Sequence, residues 1–329
     1  MTPLAREIQR TLLAALPDPE AAPRPELAAY ARLLRDYPER GGKMLRGRLV
    51  VLTARAYGDD TAALEVAAAL ELFQNWVLIH DDIEDDSDER RGRPALHRLV
   101  PMPLALNAGD ALHAAMWRLL AEAGARRKVL LEFADLVETT ASGQHLDLSW
   151  TLEGRFDLTP DDYLEMVRRK AAYYTAVAPL RLGALAAGRM PDPVFASAGL
   201  ELGVAFQIVD DVLNLEGDPE AYGKEAAGDL WEGKRTLILL DWLADAEPDE
   251  RARAEALLRK PRAEKDPAEV AWLHERLIAS GAVARARERA RRMAEPALAE
   301  LEQAFAALPG QDAAREALDL LAALVWRER

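Results

Sequence analysis

Residues 61–85, TAALEVAAALELFQNWVLIHDDIED, decide the fold class. The stretch Thr61–Ile79 is apolar nearly all round a 3.6-residue period, which predicts a buried helix rather than a surface one. It ends in Asp81-Asp82-Ile83-Glu84-Asp85. At about 100° per residue, Asp85 falls about 40° round from Asp81 and one turn along, with Asp82 about 100° away. Three carboxylates therefore crowd one end of one helix face. By itself such a run usually reads as a solvated acidic surface. At the end of a buried helix, a hard cation would relieve the repulsion, and carboxylate oxygens suit Mg²⁺.

A second stretch sharpens the reading. In residues 206–215, FQIVDDVLNL, every residue except Gln207, Asp210, Asp211 and Asn214 is apolar. With Asp210 at zero, Asn214, Gln207 and Asp211 fall within about 40°, 60° and 100°, forming one narrow polar stripe on a core-like helix. Carboxylates there are costly to bury without a compensating cation. Two acidic clusters on two apolar helices together favour a metal–diphosphate site over two solvated faces.

The rest of the chain is consistent with an all-helical protein. Ala, Leu, Glu and Arg dominate, and β-branched alternation is nearly absent. Thr159-Pro160-Asp161-Asp162 is a helix start, and that helix should run towards Gly188 with a disturbance at Pro179. Residues 85–101 read as a loop, residues 216–236 as a second loop or broken helix, and the part after Asp266 as two or three Arg/Glu-laced surface helices. No linker or fixed-period repeat divides the 329 residues, so a single domain spanning residues 1–329 is expected.

Composition excludes several classes. With Lys+Arg 42 against Asp+Glu 56, the net charge of −14 argues against nucleic acid as the main partner. The absence of cysteine removes disulfides, zinc–thiolate sites and thiol nucleophiles. The N-terminal run lacks a signal-peptide core, and no apolar stretch is long enough for an integral membrane segment, so a cytoplasmic location is expected. An acidic protein with an anionic substrate must concentrate its cations locally. Candidates are Arg90 and Arg91 after the first cluster, Lys43 and Arg46 beside Gly41-Gly42, Lys170 inside the third long helix, and Lys224 and Lys234, each following a glycine.

GGKMLRGR (41–48), LIHDDIEDDSDERRGRPALH (78–97), Gly109-Asp110, GQHLDL (143–148), the Lys170 helix, FQIVDDVLN (206–214) and GKEAAGDLWEGKRT (223–236) occur in that order. In this ordered set the chain resembles the trans-polyprenyl diphosphate synthases, nearest to the short-chain, geranylgeranyl-type members. The resemblance implies a bundle of long antiparallel helices around a central cavity, a homodimer, and Mg²⁺-dependent head-to-tail condensation of isopentenyl diphosphate with an allylic diphosphate. It implies Asp81, Asp85 and Asp210 as leading Mg²⁺ ligands, supported by Asp82, Asp211 and Asn214. Arg90, Lys170, Gln207, Lys224 and Lys234 would hold the allylic diphosphate; Lys43, Arg46, Gln74 and Arg91 would hold isopentenyl diphosphate.

Three positions depart from the family pattern: Gln74 stands where a histidine is usual, Ala171 where a threonine follows the lysine, and Asn214 where the second motif ends in aspartate. The resemblance also places Phe73, Trp76 and Val77 at the floor that limits product length, although helical phase puts Trp76 about 140° from Asp81. One aromatic five residues before Asp81, without a two-residue insertion in the motif, resembles the geranylgeranyl pattern; farnesyl diphosphate is the alternative product. A class I terpene cyclase would have no use for Lys43, Arg46 and Arg91. A non-catalytic synthase subunit would be expected to lack one acidic motif.

Overall fold

A computed structural model describes residues 1–216 and 227–326. The first ten helices in chain order are α1 (Pro3–Ala14), α2 (Pro25–Glu39), α3 (Leu45–Ala56), α4 (Ala63–Glu84), α5 (Leu96–Leu99), α6 (Met102–Glu122), α7 (Arg127–Leu152), α8 (Pro160–Val167), α9 (Ala178–Ala186) and α10 (Val194–Glu216). Helices Gly228–Glu232, Leu237–Asp245, Pro248–Leu258, Pro267–Ala279, Ala282–Ala306 and Gln311–Val325 follow. The only strands among the described residues are β1 (Glu89–Arg90) and β2 (Arg93–Pro94), an antiparallel pair.

The helix expected over residues 61–79 is α4. It begins two residues later and runs on through the acidic motif, so that Asp81 and Asp82 belong to its last turn. Its body is buried through Val66–Phe73, and Phe73 is fully inaccessible. Burial of that ring alone contributes roughly 1.5–3 kcal/mol. Two apolar cores result. One joins α1, α4, α6, α7 and α9; the other joins α3, α8, α10 and the helices that follow it.

Three details differ from expectation. Residues 85–101 are not plain loop but hold the β1–β2 pair and α5, tied to α2 by Arg40, whose guanidinium donates to the carbonyls of Arg90 and Pro94, each at 2.9 Å. Helix Ala282–Ala306, expected on the surface, packs along α10 through buried Ala286, Ala290, Ala294 and Ala297. Small side chains at every fourth position let two helix axes approach closely, and its arginines face outward. The helix from Pro160 starts with a capping box between Thr159 and Asp162, but its disturbance lies ahead of Pro179. Residues Arg168–Val177 wind as a π-helix, closed where the Ala178 N–H reaches the Tyr173 carbonyl. Proline lacks the N–H that an α-helical turn would use, so the ladder widens upstream of it. Lys170 lies inside this wide segment.

α7 crosses the π-helix at Gly143. A Cβ there would lie 2.2 Å from the Lys170 nitrogen and 2.6 Å from its Cα, both backbone atoms. Gly143→Ala gains about 1 kcal/mol of helix propensity, but forcing two backbones apart costs about 1–3 kcal/mol. We expect a lower thermal unfolding midpoint; an unchanged or raised midpoint would show that this crossing can relax freely.

Candidate active site

A cavity of about 850 Å³ opens between the two cores, walled by α3, α4, α7, α8, the π-helix and α10. Asp81, Asp210, Asp211 and Asp229 all line it. So do Lys43, Arg46, Arg90, Arg91, Lys170 and Lys234, and the apolar Phe73, Trp76 and Val77. One wall is therefore acidic, its neighbours are cationic, and the remainder is apolar and aromatic.

The first acidic motif divides into three roles. Asp82 is fully buried and off the lining: Tyr37 donates to its Oδ2 at 2.5 Å, and Arg90 Nε donates to Oδ1 and Oδ2 at 2.9 and 3.1 Å. Arg90 Nη2 donates to Asp82 as well and reaches Asp81 Oδ2 at 3.2 Å. Asp81 faces the cavity, with Lys170 Nζ 3.2 Å from its Oδ1. Asp85 turns behind the lining to Lys234, Nζ to Oδ2 2.8 Å. Burial pushes the Asp85 carboxyl up to about 7, with Lys234 opposing and Asp81 adding to the rise.

The second motif repeats the logic. Asp211 accepts from Tyr163 Oη at 2.6 Å and from Gln207 Nε2 at 2.8 Å. Burial and the neighbouring Asp229 and Asp210 still raise its carboxyl to about 8. Asn214, expected as a ligand, is not on the lining. Its Oδ1 accepts the Asp229 N–H at 3.2 Å, and its carbonyl accepts the Ala227 N–H at 3.0 Å. It therefore holds the start of helix Gly228–Glu232, and Asp229 is the residue that reaches the cavity. Lys224 lies outside the described residues.

Cations sit against these acids. Burial opposes the charge on Lys170, but Asp147 (2.6 Å), Asp81 and Asp85 overcome it and hold its pKa above the usual lysine range. Lys234 is likewise held charged, by Asp85 and by Glu232 at 2.5 Å, and Ser87 donates to Glu232 at 2.6 Å. A separate group surrounds Glu71, a buried carboxyl on α4 that accepts the Gly47 N–H at 2.9 Å. Burial raises its pKa, and Arg46 and Arg91 oppose that rise. Arg46 donates to Thr175 Oγ1 at 2.8 Å and lies over the Tyr174 ring, whereas Arg91 donates to the Tyr37 carbonyl at 2.8 Å. Lys43 stands exposed at this end, and Gln74 and Ala171 line the wall between.

Carboxylates raised by burial carry an electrostatic demand that a divalent cation would meet, and the donors are all hard oxygens. Among the described residues no three of them converge as a ready-made metal cage.

Tyr37, Tyr163, Glu71 and Asp229 escaped the sequence reading. Asp147 lay within the GQHLDL motif, and Asp229 within GKEAAGDLWEGKRT, where their types were visible but not their direction. Nothing in the sequence marks Tyr37, which meets Asp82 across 45 residues.

The cavity thus combines acids, cations and aromatic rings in one lining. Residues 28–277 match the family model described as polyprenyl synthetase. A short chain isoprenyl diphosphate synthase of Methanothermobacter thermautotrophicus is 38% identical over 224 residues, covering 66% of this chain and 68% of that one. A geranylgeranyl diphosphate synthase of Saccharolobus solfataricus is 35% identical over 238 residues, covering 70% and 71%. The structure of a geranylgeranyl pyrophosphate synthase from Corynebacterium glutamicum, complexed with isoprenyl diphosphate and magnesium, superposes with a TM-score of 0.85 at 26% identity, covering 99% of each chain. The chain belongs to the polyprenyl synthetase family and is a prenyltransferase with the all-helical isoprenoid synthase fold. Among the described residues no helix is long and apolar enough to cross a membrane.

Tyr37→Phe deprives Asp82 of a donor and the Leu96 N–H of its acceptor, 3.1 Å away. Leaving buried polar atoms unpaired costs about 1–3 kcal/mol, so the denaturation midpoint should fall. A midpoint equal to the parent's would mean that Arg90 alone secures Asp82.

Proposed function

We propose that this chain condenses isopentenyl diphosphate head to tail with an allylic diphosphate, with geranylgeranyl diphosphate as main product. The observation that carries this reading is the gathering of two acidic motifs and two separate cationic groups around one cavity with an apolar end. A cyclase handles one diphosphate, and the Glu71–Arg46–Arg91 group would then have nothing to bind. Several relatives bear the geranylgeranyl name, which supports the product assignment.

In this reading Lys170, Lys234, Arg90 and Gln207 hold the allylic diphosphate, joined by Lys224. Lys43, Arg46, Arg91 and Gln74 hold isopentenyl diphosphate. The allylic C–O bond breaks with its electron pair leaving on diphosphate. The isopentenyl double bond attacks the allylic cation, a C–C bond forms, and loss of a proton restores an allylic diphosphate one unit longer. Charge develops on the leaving oxygens, so fixed cations at Lys170 and Lys234 stabilise the transition state more than the ground state. Asp81 and Asp210, with Asp211 and Asp229 beside them, would hold Mg²⁺ jointly with the substrate phosphates, and the ion would neutralise charge on the leaving group as a Lewis acid. Asp82 and Asp85 act from behind, the first by fixing Arg90 and the second by fixing Lys234.

Phe73, Trp76 and Val77 form the floor against which the growing tail stops. The whole chain acts as one domain, since the lining runs from Gly42 to Trp326. A homodimer, as the family resemblance implies, acting in the cytoplasm completes the proposal.

Radiolabelled isopentenyl diphosphate supplied with each allylic primer, followed by product-length analysis, tests the assignment. Incorporation ending at geranylgeranyl diphosphate is expected; label left unconsumed would refute it. EDTA should abolish turnover, and Asp81→Ala or Asp210→Ala should reduce it by several orders of magnitude, since each removes a metal-facing carboxylate. Full activity in EDTA would sink the metal assignment. Arg91→Ala should raise the KM for isopentenyl diphosphate more than that for the allylic substrate, and Lys170→Ala should do the reverse. Equal effects would mean that the two pockets are wrongly divided. Finally, Trp76→Ala combined with Phe73→Ala should deepen the cavity and lengthen the products, and an unchanged spectrum would place the floor elsewhere.

A further inference from the structure

The Trp76 ring is placed without the help of a polar anchor. Its Nε1 is buried and finds no hydrogen-bond partner among the described residues. Packing, including contacts with three other rings, therefore sets its orientation. Phe73 and His80 meet it edge-on, with centroids at 5.6 and 5.9 Å and interplanar angles of 83° and 79°. Among the ring contacts of the described residues, the one with His113, on α6, is the stacked one, at 4.1 Å with an interplanar angle of 19°.

His113 does not line the cavity; it stands behind Trp76. Its own ring is held from the far side, where Trp117 Nε1–H donates to His113 Nε2 at 2.9 Å. That bond requires an unprotonated Nε2 and so a neutral ring with its proton on Nδ1. Burial lowers the His113 pKa, which favours the same neutral form. Trp117 is backed in turn by the fully buried Phe133 on α7, at 6.3 Å between centroids. α6 comes this close because residue 109 is glycine: a Cβ there would lie 2.3 Å from His80 Nε2 and 3.5 Å from Trp76 Cδ1. A continuous series of ring contacts, stacked at Trp76–His113 and edge-on at His113–Trp117 and Trp117–Phe133, thus runs from the cavity wall to the buried core.

We propose that His113 is a positioning residue for product length, holding the Trp76 indole in the orientation that stops the growing chain. The inference rests on the reading of Trp76 as part of the floor. An indole pinned on one face cannot swing aside as the tail presses on it. Without the imidazole the ring has only edge contacts and an unanchored N–H, and it would yield to the next isoprene unit.

The test compares product-length distributions of the parent protein with His113→Ala, His113→Phe, Trp117→Phe and Trp76→Ala, each given the same allylic primer and excess isopentenyl diphosphate. Trp76→Ala and His113→Ala should both shift the distribution beyond geranylgeranyl diphosphate. His113→Phe, which restores a flat ring against the indole, should return it towards the parent's. Trp117→Phe, which frees the imidazole but leaves the stack, should broaden it. Should His113→Ala fail to fold, Trp117→Phe decides alone, and a distribution identical to the parent's overturns the proposal. Longer products from Trp76→Ala with none from His113→Ala would overturn the positioning role while leaving the floor intact. No lengthening from Trp76→Ala would remove the floor reading itself, and the role of His113 with it.

Discussion

The acid-rich ends of α4 and α10 impose the constraint to which the rest of the molecule answers. Each helix is apolar enough to be buried, and each brings two or more carboxylates into the interior with it. A carboxylate in a poorly solvated place must be protonated, hydrogen-bonded or paired with a cation. The protein uses hydrogen bonds and pairs for these groups, yet burial still raises Asp85, beside Lys234, to about 7 and Asp211, beside Tyr163 and Gln207, to about 8. Burial is the largest cause of both rises, with neighbouring carboxylates adding to them.

The two motifs solve the problem with a similar division of labour. One acid of each pair is tied down by a tyrosine from another helix: Tyr37 holds Asp82, and Tyr163 holds Asp211. Its neighbour, Asp81 or Asp210, lines the cavity. Lys234 links the two halves, since it lies 2.8 Å from Asp85 and 3.9 Å from Asp229. Binding of a diphosphate would compete with these carboxylates for the same ammonium groups. The ion pairs hold Lys170 and Lys234 charged at the cavity wall, and in the proposed reading little reorganisation would be needed for them to meet a diphosphate.

How much of this was legible before the structure depends on which physical signal each residue emits. Helical period and an apolar surface all round made α4 and α10 readable, and an acid on such a surface is conspicuous whatever its partner. Asp81, Asp210, Lys170 and the Arg90-Arg91 pair could be found that way. Direction could not. Asp82, Asp85 and Asn214 have the same composition-level appearance as their neighbours, but one turn of a helix or one residue past its end decides whether a side chain faces the cavity or the packing behind it. Helix Ala282–Ala306 misled for the opposite reason: its arginines are the visible signal, whereas its contact with α10 runs through alanines, which carry no pattern of their own. The Tyr37–Asp82 bond depends on tertiary packing and left no local trace, whereas Pro179 signalled a disturbance but not the extent of the wide winding before it.

Calorimetric titration with Mg²⁺, in the presence and absence of inorganic diphosphate, bears most directly on the claim that metal and diphosphate complete one another's sites. In the proposed reading substrate phosphates complete the metal's shell, so Mg²⁺ alone should bind weakly, and diphosphate should tighten it markedly. By linkage, Mg²⁺ should tighten diphosphate by the same factor. Tight Mg²⁺ binding without diphosphate, or diphosphate binding indifferent to Mg²⁺, would contradict a site assembled jointly by protein and substrate.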